Sequence, residues 1–114
     1  MNESIGAKLT SIVGAILPTF YSEAETESYP YAAYDQNLQY HRTKDGVYKI
    51  SSDLKLVIVS NDFDEADRCR EEVLAAIEAG MRDDQYQAEL QTVNKDCVEG
   101  VWAIEMNYRI NQYK

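Results

Sequence analysis

The chain has 114 residues and a net charge of −9, from 11 basic and 20 acidic side chains. That length is one domain with no room for a separate catalytic module. The charge argues against binding the outside of DNA or lying on an anionic membrane, because both need a positive face.

Ile5, Leu9, Ile12, Val13, Ile16 and Leu17 recur at helical spacing and make one apolar stripe. Pro18 disfavours helical geometry at the residue before it, so this helix is expected to stop near Leu17. Residues 18–28 read as an exposed acidic linker in which Glu23, Glu25 and Glu27 alternate with small residues. Residues 29–40 read as a Tyr-rich strand, with Pro30 near its beginning, where a missing N–H is tolerated. Residues 41–46 are expected to form a hairpin turn, since Asp45-Gly46 suits a positive φ. In residues 47–60, Tyr48, Ile50, Leu54, Leu56 and Ile58 share one face by period two, with Ser52 as its only gap.

Asp62-Phe63-Asp64-Glu65 resembles a capping box and opens a second helix. Ala66, Cys69, Arg70, Val73, Ala76 and Ile77 lie along its inward side, and Gly80 is expected to close it as a left-handed cap. Residues 85–94 read as a strand with Tyr86, Ala88, Leu90 and Thr92 on one face. Residues 94–97 are expected to turn. A last strand follows, in which Val98, Trp102, Ile104, Met106, Tyr108 and Ile110 alternate with Glu105, Asn107 and Arg109, and Gly100 marks a candidate bulge. The order α-β-β-α-β-β predicts an α+β fold: residues 1–114 form a single domain, a four-stranded and mainly antiparallel sheet with two helices packed on one face.

No chemistry stands out along the chain. His41 is the only histidine and has no Cys or second His near it in sequence, which is too few donors for a zinc site. Cys69 and Cys97 lack CxxC spacing and read as buried free thiols. Phosphate-cradling and nucleophile-elbow motifs are missing, so no cofactor and no enzymatic activity are expected. Residues 1–5 carry an acid where a secretory leader needs positive charge, and the apolar stretch 5–17 is shorter than the ~20 residues of a bilayer span. An intracellular origin and no membrane partner are expected. Nine acids against three arginines crowd residues 62–84. Acids at a helix start are explained by its dipole, and the EF-hand spacing is absent, so a solvated or partner-facing acidic helix is the reading rather than calcium. Its candidate face comprises Asp64, Asp67, Glu71, Glu72 and Glu78. Five tyrosines fall in residues 21–40, and Tyr suits core and interface equally.

The run Ile16-Leu17-Pro18, then Tyr21, then Tyr29-Pro30-Tyr31-Ala32-Ala33-Tyr34-Asp35 is similar to the opening of a bacteriophage and prophage family. This is the tail-completion or tail-terminator group of small head–tail joining proteins. A hairpin, a strand leading into an acidic helix over residues 54–66, and a closing hairpin continue the resemblance. It implies a virion structural protein that forms a ring, commonly a hexamer, at the head-proximal end of the tail, terminating the tube and joining it to the head. The implied partners are further copies of itself, the tail-tube protein and the head connector, met in the host cytoplasm during assembly and then in the virion, with no specific nucleic-acid binding. Tyr29, Tyr31, Tyr34, Tyr40, Glu23, Glu25 and Glu27 are the candidate assembly residues. The acidic helix is a candidate channel wall that repels passing DNA. The competing reading is an acidic intracellular interaction or inhibitor module that binds a basic partner surface, which explains the charge equally well.

Overall fold

The computed structural model describes residues 4–21 and 29–114. Helix α1 (Ile5–Gly14) starts at Ser4, whose hydroxyl accepts from Ala7 N at 3.1 Å. The helix stops three residues before Leu17, where it was expected to end, and its last turn tightens as Ile16 N and Leu17 N both donate to Val13 O. The start of the expected acidic linker, residues 18–21, departs from that reading. Its first residues form a short strand, β1 (Thr19–Tyr21), tied at its root by a 2.8 Å bond from Ala32 N to Pro18 O. Glu23, Glu25 and Glu27 lie outside the described residues.

β2 (Tyr31–Thr43) and β3 (Gly46–Ser60) form a long hairpin, and β4 (Tyr86–Val98) and β5 (Val101–Tyr113) form a second. They join in the order β1-β2-β3-β5-β4, with β1 parallel to β2 and every other pair antiparallel. The expected four-stranded, mainly antiparallel sheet is therefore corrected to a five-stranded mixed sheet. The class remains α+β. β1 escapes a periodicity reading because three residues are too few to show alternation.

Both turns are tighter than the expected 41–46 and 94–97. Thr43 pairs with Gly46, so only Lys44 and Asp45 turn the first hairpin, and Gly46 takes a φ of 118°. Val98 pairs with Val101, and Glu99 and Gly100 turn the second with φ of 53° and 80°. Gly100 is thus a turn residue, as the mirror-image hairpin turn requires, and no bulge. The register shift in β4 lies between Leu90 and Thr92, which sends Thr92 to the opposite face from Tyr86, Ala88 and Leu90.

Alternate positions of the central strands bury cross-strand rows such as Ala32–Ile58–Ile104 and Tyr34–Leu56–Met106. Leu9 and Val13 of α1 and Ala66, Val73 and Ile77 of α2 (Phe63–Gly80) cover this face and close one core. Ser52, the gap in the apolar stripe, is buried there and donates to Gln36 Oε1 at 2.9 Å. The start of α2 varies the expected capping box. Asp62 accepts from Asp64 N, but Glu65 reaches back through a relay: Asp62 N donates to Ser60 Oγ, and Ser60 Oγ donates to Glu65 Oε1 at 2.8 Å. At the other end, Gly80 is the last helical residue and Met81 the cap, so the expected left-handed glycine cap does not form. The molecule measures 52 × 24 × 22 Å, with the two hairpin turns at opposite ends of its long axis.

Candidate functional site

The aromatic residues gather where β1 meets β2. Tyr29 stacks on Tyr31 at 5.9 Å, Phe20 meets Tyr31 edge-on at 6.4 Å, and Tyr21 meets Tyr34 edge-on at 5.2 Å. Tyr34 points under α1, is buried, and shares a 3.1 Å hydrogen bond with Thr10 Oγ1. Tyr29 is exposed and Tyr31 half-buried at the same end. Tyr40 is brought to neither. It stands exposed far along the first hairpin, beside Leu38, with the Arg42 guanidinium over its ring at 6.0 Å.

On α2, Asp64, Glu71, Glu72 and Glu78 are exposed to solvent. Asp67 differs from them. It is half-buried, accepts from Arg70 Nε at 3.0 Å and lies 3.7 Å from Lys95 Nζ. The Arg70 hydrogen bond, reinforced by the charges of Arg70 and Lys95, holds its carboxyl below the usual aspartate value. Lys95 also covers the Phe63 ring, which packs on Trp102. The front of the acidic helix is thus pinned to β4, and its outer face stays free.

The one histidine lies beside a serine, but the hydrogen bonds do not run from nucleophile to base. His41 Nε2 lies 3.0 Å from Ser51 Oγ, but the Ser51 proton goes to Asn111 Oδ1 at 2.7 Å, which makes His41 the donor. Ser51 is also buried on the sheet, out of reach of a substrate. The trio is a cross-strand brace joining β2, β3 and β5. Cys69 is buried as expected, and burial raises its thiol pKa; the expectation of a buried Cys97 is corrected, since it is exposed where the polar end of β4 faces solvent. Among the described residues no group of three or more His, Cys, Asp or Glu is placed to hold a metal ion, and no helix is long and apolar enough to cross a membrane.

A groove of about 690 Å³ lies between the end of α2 and β4. Glu78, Asp83 and Glu89 line it with Arg82, Ala88 and Leu90, and the Lys8 charge also acts on Asp83. Asp83 is fixed by accepting from Gln85 N and Tyr86 N at 2.8 and 2.9 Å, and those bonds depress its pKa. A sequence reading misses this groove because its walls come from a helix end and a strand whose register the β4 bulge resets. Arg42, Lys44 and Lys49 group on one projecting hairpin through the length and pairing of β2 and β3.

No protein-family model and no curated protein matches the sequence. The fold is similar to that of a chain in the virion of a native gene transfer agent (GTA) particle, with a TM-score of 0.56 and 13% identity. The match covers 98% of this chain and 87% of that one. At that identity the likeness is one of fold, and it extends over nearly the whole of both chains: this chain has the architecture of a protein found in a GTA virion.

Proposed function

We propose that the chain is a structural subunit of a phage-like virion, forming a ring at the head-proximal end of the tail that terminates the tube and joins it to the head. The observation that carries this reading is the fold shared, end to end, with a chain of the GTA virion. The resemblance of residues 16–35 to tail-completion proteins supports the finer assignment. The exposed acids Asp64, Glu71, Glu72 and Glu78 suit a surface past which DNA slides without sticking.

Electron microscopy of particles made with and without this chain tests the proposal. Tails of uncontrolled length and heads lacking tails are expected when it is missing. Normal, joined tails in its absence would overturn the assignment. The same exposed acids favour one alternative, an inhibitor that seats on a basic partner. A pull-down in which a basic host protein binds tightly at low salt and releases at high salt would move that reading to first place.

A further inference from the structure

Among the described residues the sheet has two uncovered edges, and they match. β1 pairs only with residues 32–34 of β2, which leaves the nine residues 35–43 with an open edge. On the outer side of β4, Ala88 N donates to Met81 O and Asp83 N to Tyr86 O, so that edge is occupied only at its start. The ten residues 89–98 are open. Unpaired strand edges are templates for another chain.

The strand directions favour one partner, a second copy of this chain. Successive antiparallel steps from β2 to β3 to β5 to β4 leave β2 and β4 running in opposite directions. A copy set beside the first in the same orientation therefore brings its β2 antiparallel to β4, with the helices of both on the same face. The open segments are nearly equal in length. Setting Asp35 beside Val98 clears β1 of the incoming copy and the 81–83 segment of the receiving one. It also places Tyr40 opposite Val93, and the in-chain registers put both on the helix-covered face.

Side-chain chemistry favours the same contact. Leu38 and Tyr40 are 39% and 53% exposed, and Leu90 and Val93 on the receiving strand are only half-buried. The hairpin tip carries Arg42, Lys44 and Lys49 against Asp45, a basic island on a chain of net charge −9. In this register the tip arrives at the groove that Glu78, Asp83 and Glu89 line with Arg82. The offset between copies is about six residues, roughly 20 Å along the strands for about 19 Å of four-strand width. That is a tilt near 45°, as closed sheets adopt.

We propose that the chain assembles head to tail by strand addition: residues 35–43 of one copy pair with residues 89–98 of the next, and the basic hairpin tip seats in the acidic groove between α2 and β4. Such a contact uses two different patches and closes into a ring when the rotation permits. It names the interface of the ring proposed above and rests on that reading.

Two charge-reversed forms of the full chain test it, Arg42→Glu with Lys44→Glu, and Glu78→Lys with Glu89→Lys. Each is followed by light scattering and sedimentation against concentration, with thermal melts to show that it folds. Alone, each form presents like charges across the contact, and its self-association is expected to weaken by at least about a hundredfold. Mixed in equal amounts, the two forms are complementary and are expected to reassemble in alternation. Wild-type rings that survive both reversals, or folded variants whose mixture stays dissociated, overturn this contact while leaving the ring itself standing. A wild-type chain that is monomeric at every concentration overturns the contact and the self-assembled ring together, leaving the particle images to judge the virion role.

Discussion

Gly80 of α2 lies directly against Ile12 of α1: a methyl group built on Gly80 would come within 2.6 Å of Ile12 Cδ1 and 3.2 Å of Cγ1. The glycine keeps the crossing of the two helices clear, since its backbone is helical and Ala would favour the helix by about 1 kcal/mol. Gly80→Ala is therefore expected to lower stability by about 1 kcal/mol, as overpacking outweighs helix propensity. In an Ile12→Val background, which removes Cδ1, the same change is expected to be neutral or stabilising. Urea unfolding of the four proteins in this cycle measures the coupling directly.

Among the described residues the buried Tyr108 hydroxyl has no hydrogen-bond partner. Burial, with the negative charge of Glu78 added, raises its pKa well above that of free tyrosine. Tyr108→Phe deletes an unsatisfied polar group and keeps the ring, so stability is expected to rise by about 1 kcal/mol. The sign at high pH follows. The unfolded phenol ionises first, so stability is lost as pH climbs past about 10, and the Phe variant should lose less. Thermal melts from neutral to alkaline pH give both results.

Glu99 holds a φ of 53° in the two-residue turn before Gly100. Asn adopts that region with less strain and leads the residues of mirror-image hairpin turns. Glu99→Asn is expected to raise stability by about 0.5–1 kcal/mol, seen as a higher urea midpoint with an unchanged slope. A fall would mean that the Glu99 side chain contributes more than the turn costs.

Asp67 and Asp83 both have depressed carboxyl pKa values, the first from Arg70 and Lys95 and the second from the Gln85 and Tyr86 amides. Their stabilisation is complete above the unfolded value of about 3.9 and disappears as pH falls through the lower folded values. Acid titration of the urea midpoint should show this loss, with a shallower slope in Asp67→Asn. An unaltered slope would place the acid sensitivity in other carboxylates.

Strand and helix identity was legible wherever a long element buries one face, as in Leu54, Leu56 and Ile58 or Ile104, Met106 and Tyr108. Both hairpins read correctly as hairpins, yet their turns shifted because β-pairing continues through polar residues. Asn94, Lys95 and Asp96 look like a turn by composition and are held in β4 by partners on β5. β1 was hidden by its length, and Gly80 was misread because a glycine at a helix end has two explanations that only the neighbouring helix separates. Strand register also decides where the tyrosines go: Tyr29 stacks on Tyr31, Tyr34 turns to the other face under α1, and the distance to Tyr40 and the groove opposite depend on the same register.

The seam between β3 and β5 has a kinetic consequence. Each hairpin closes through a two-residue turn, an event of about 1–10 µs, but the seam brings Ser52 beside Ile110, segments separated by all of α2 and β4. Refolding should be limited by the docking of two preformed hairpins, so destabilising mutations at the turns, which form before the barrier, should slow folding, while mutations along the seam divide between slower folding and faster unfolding according to how far docking has advanced.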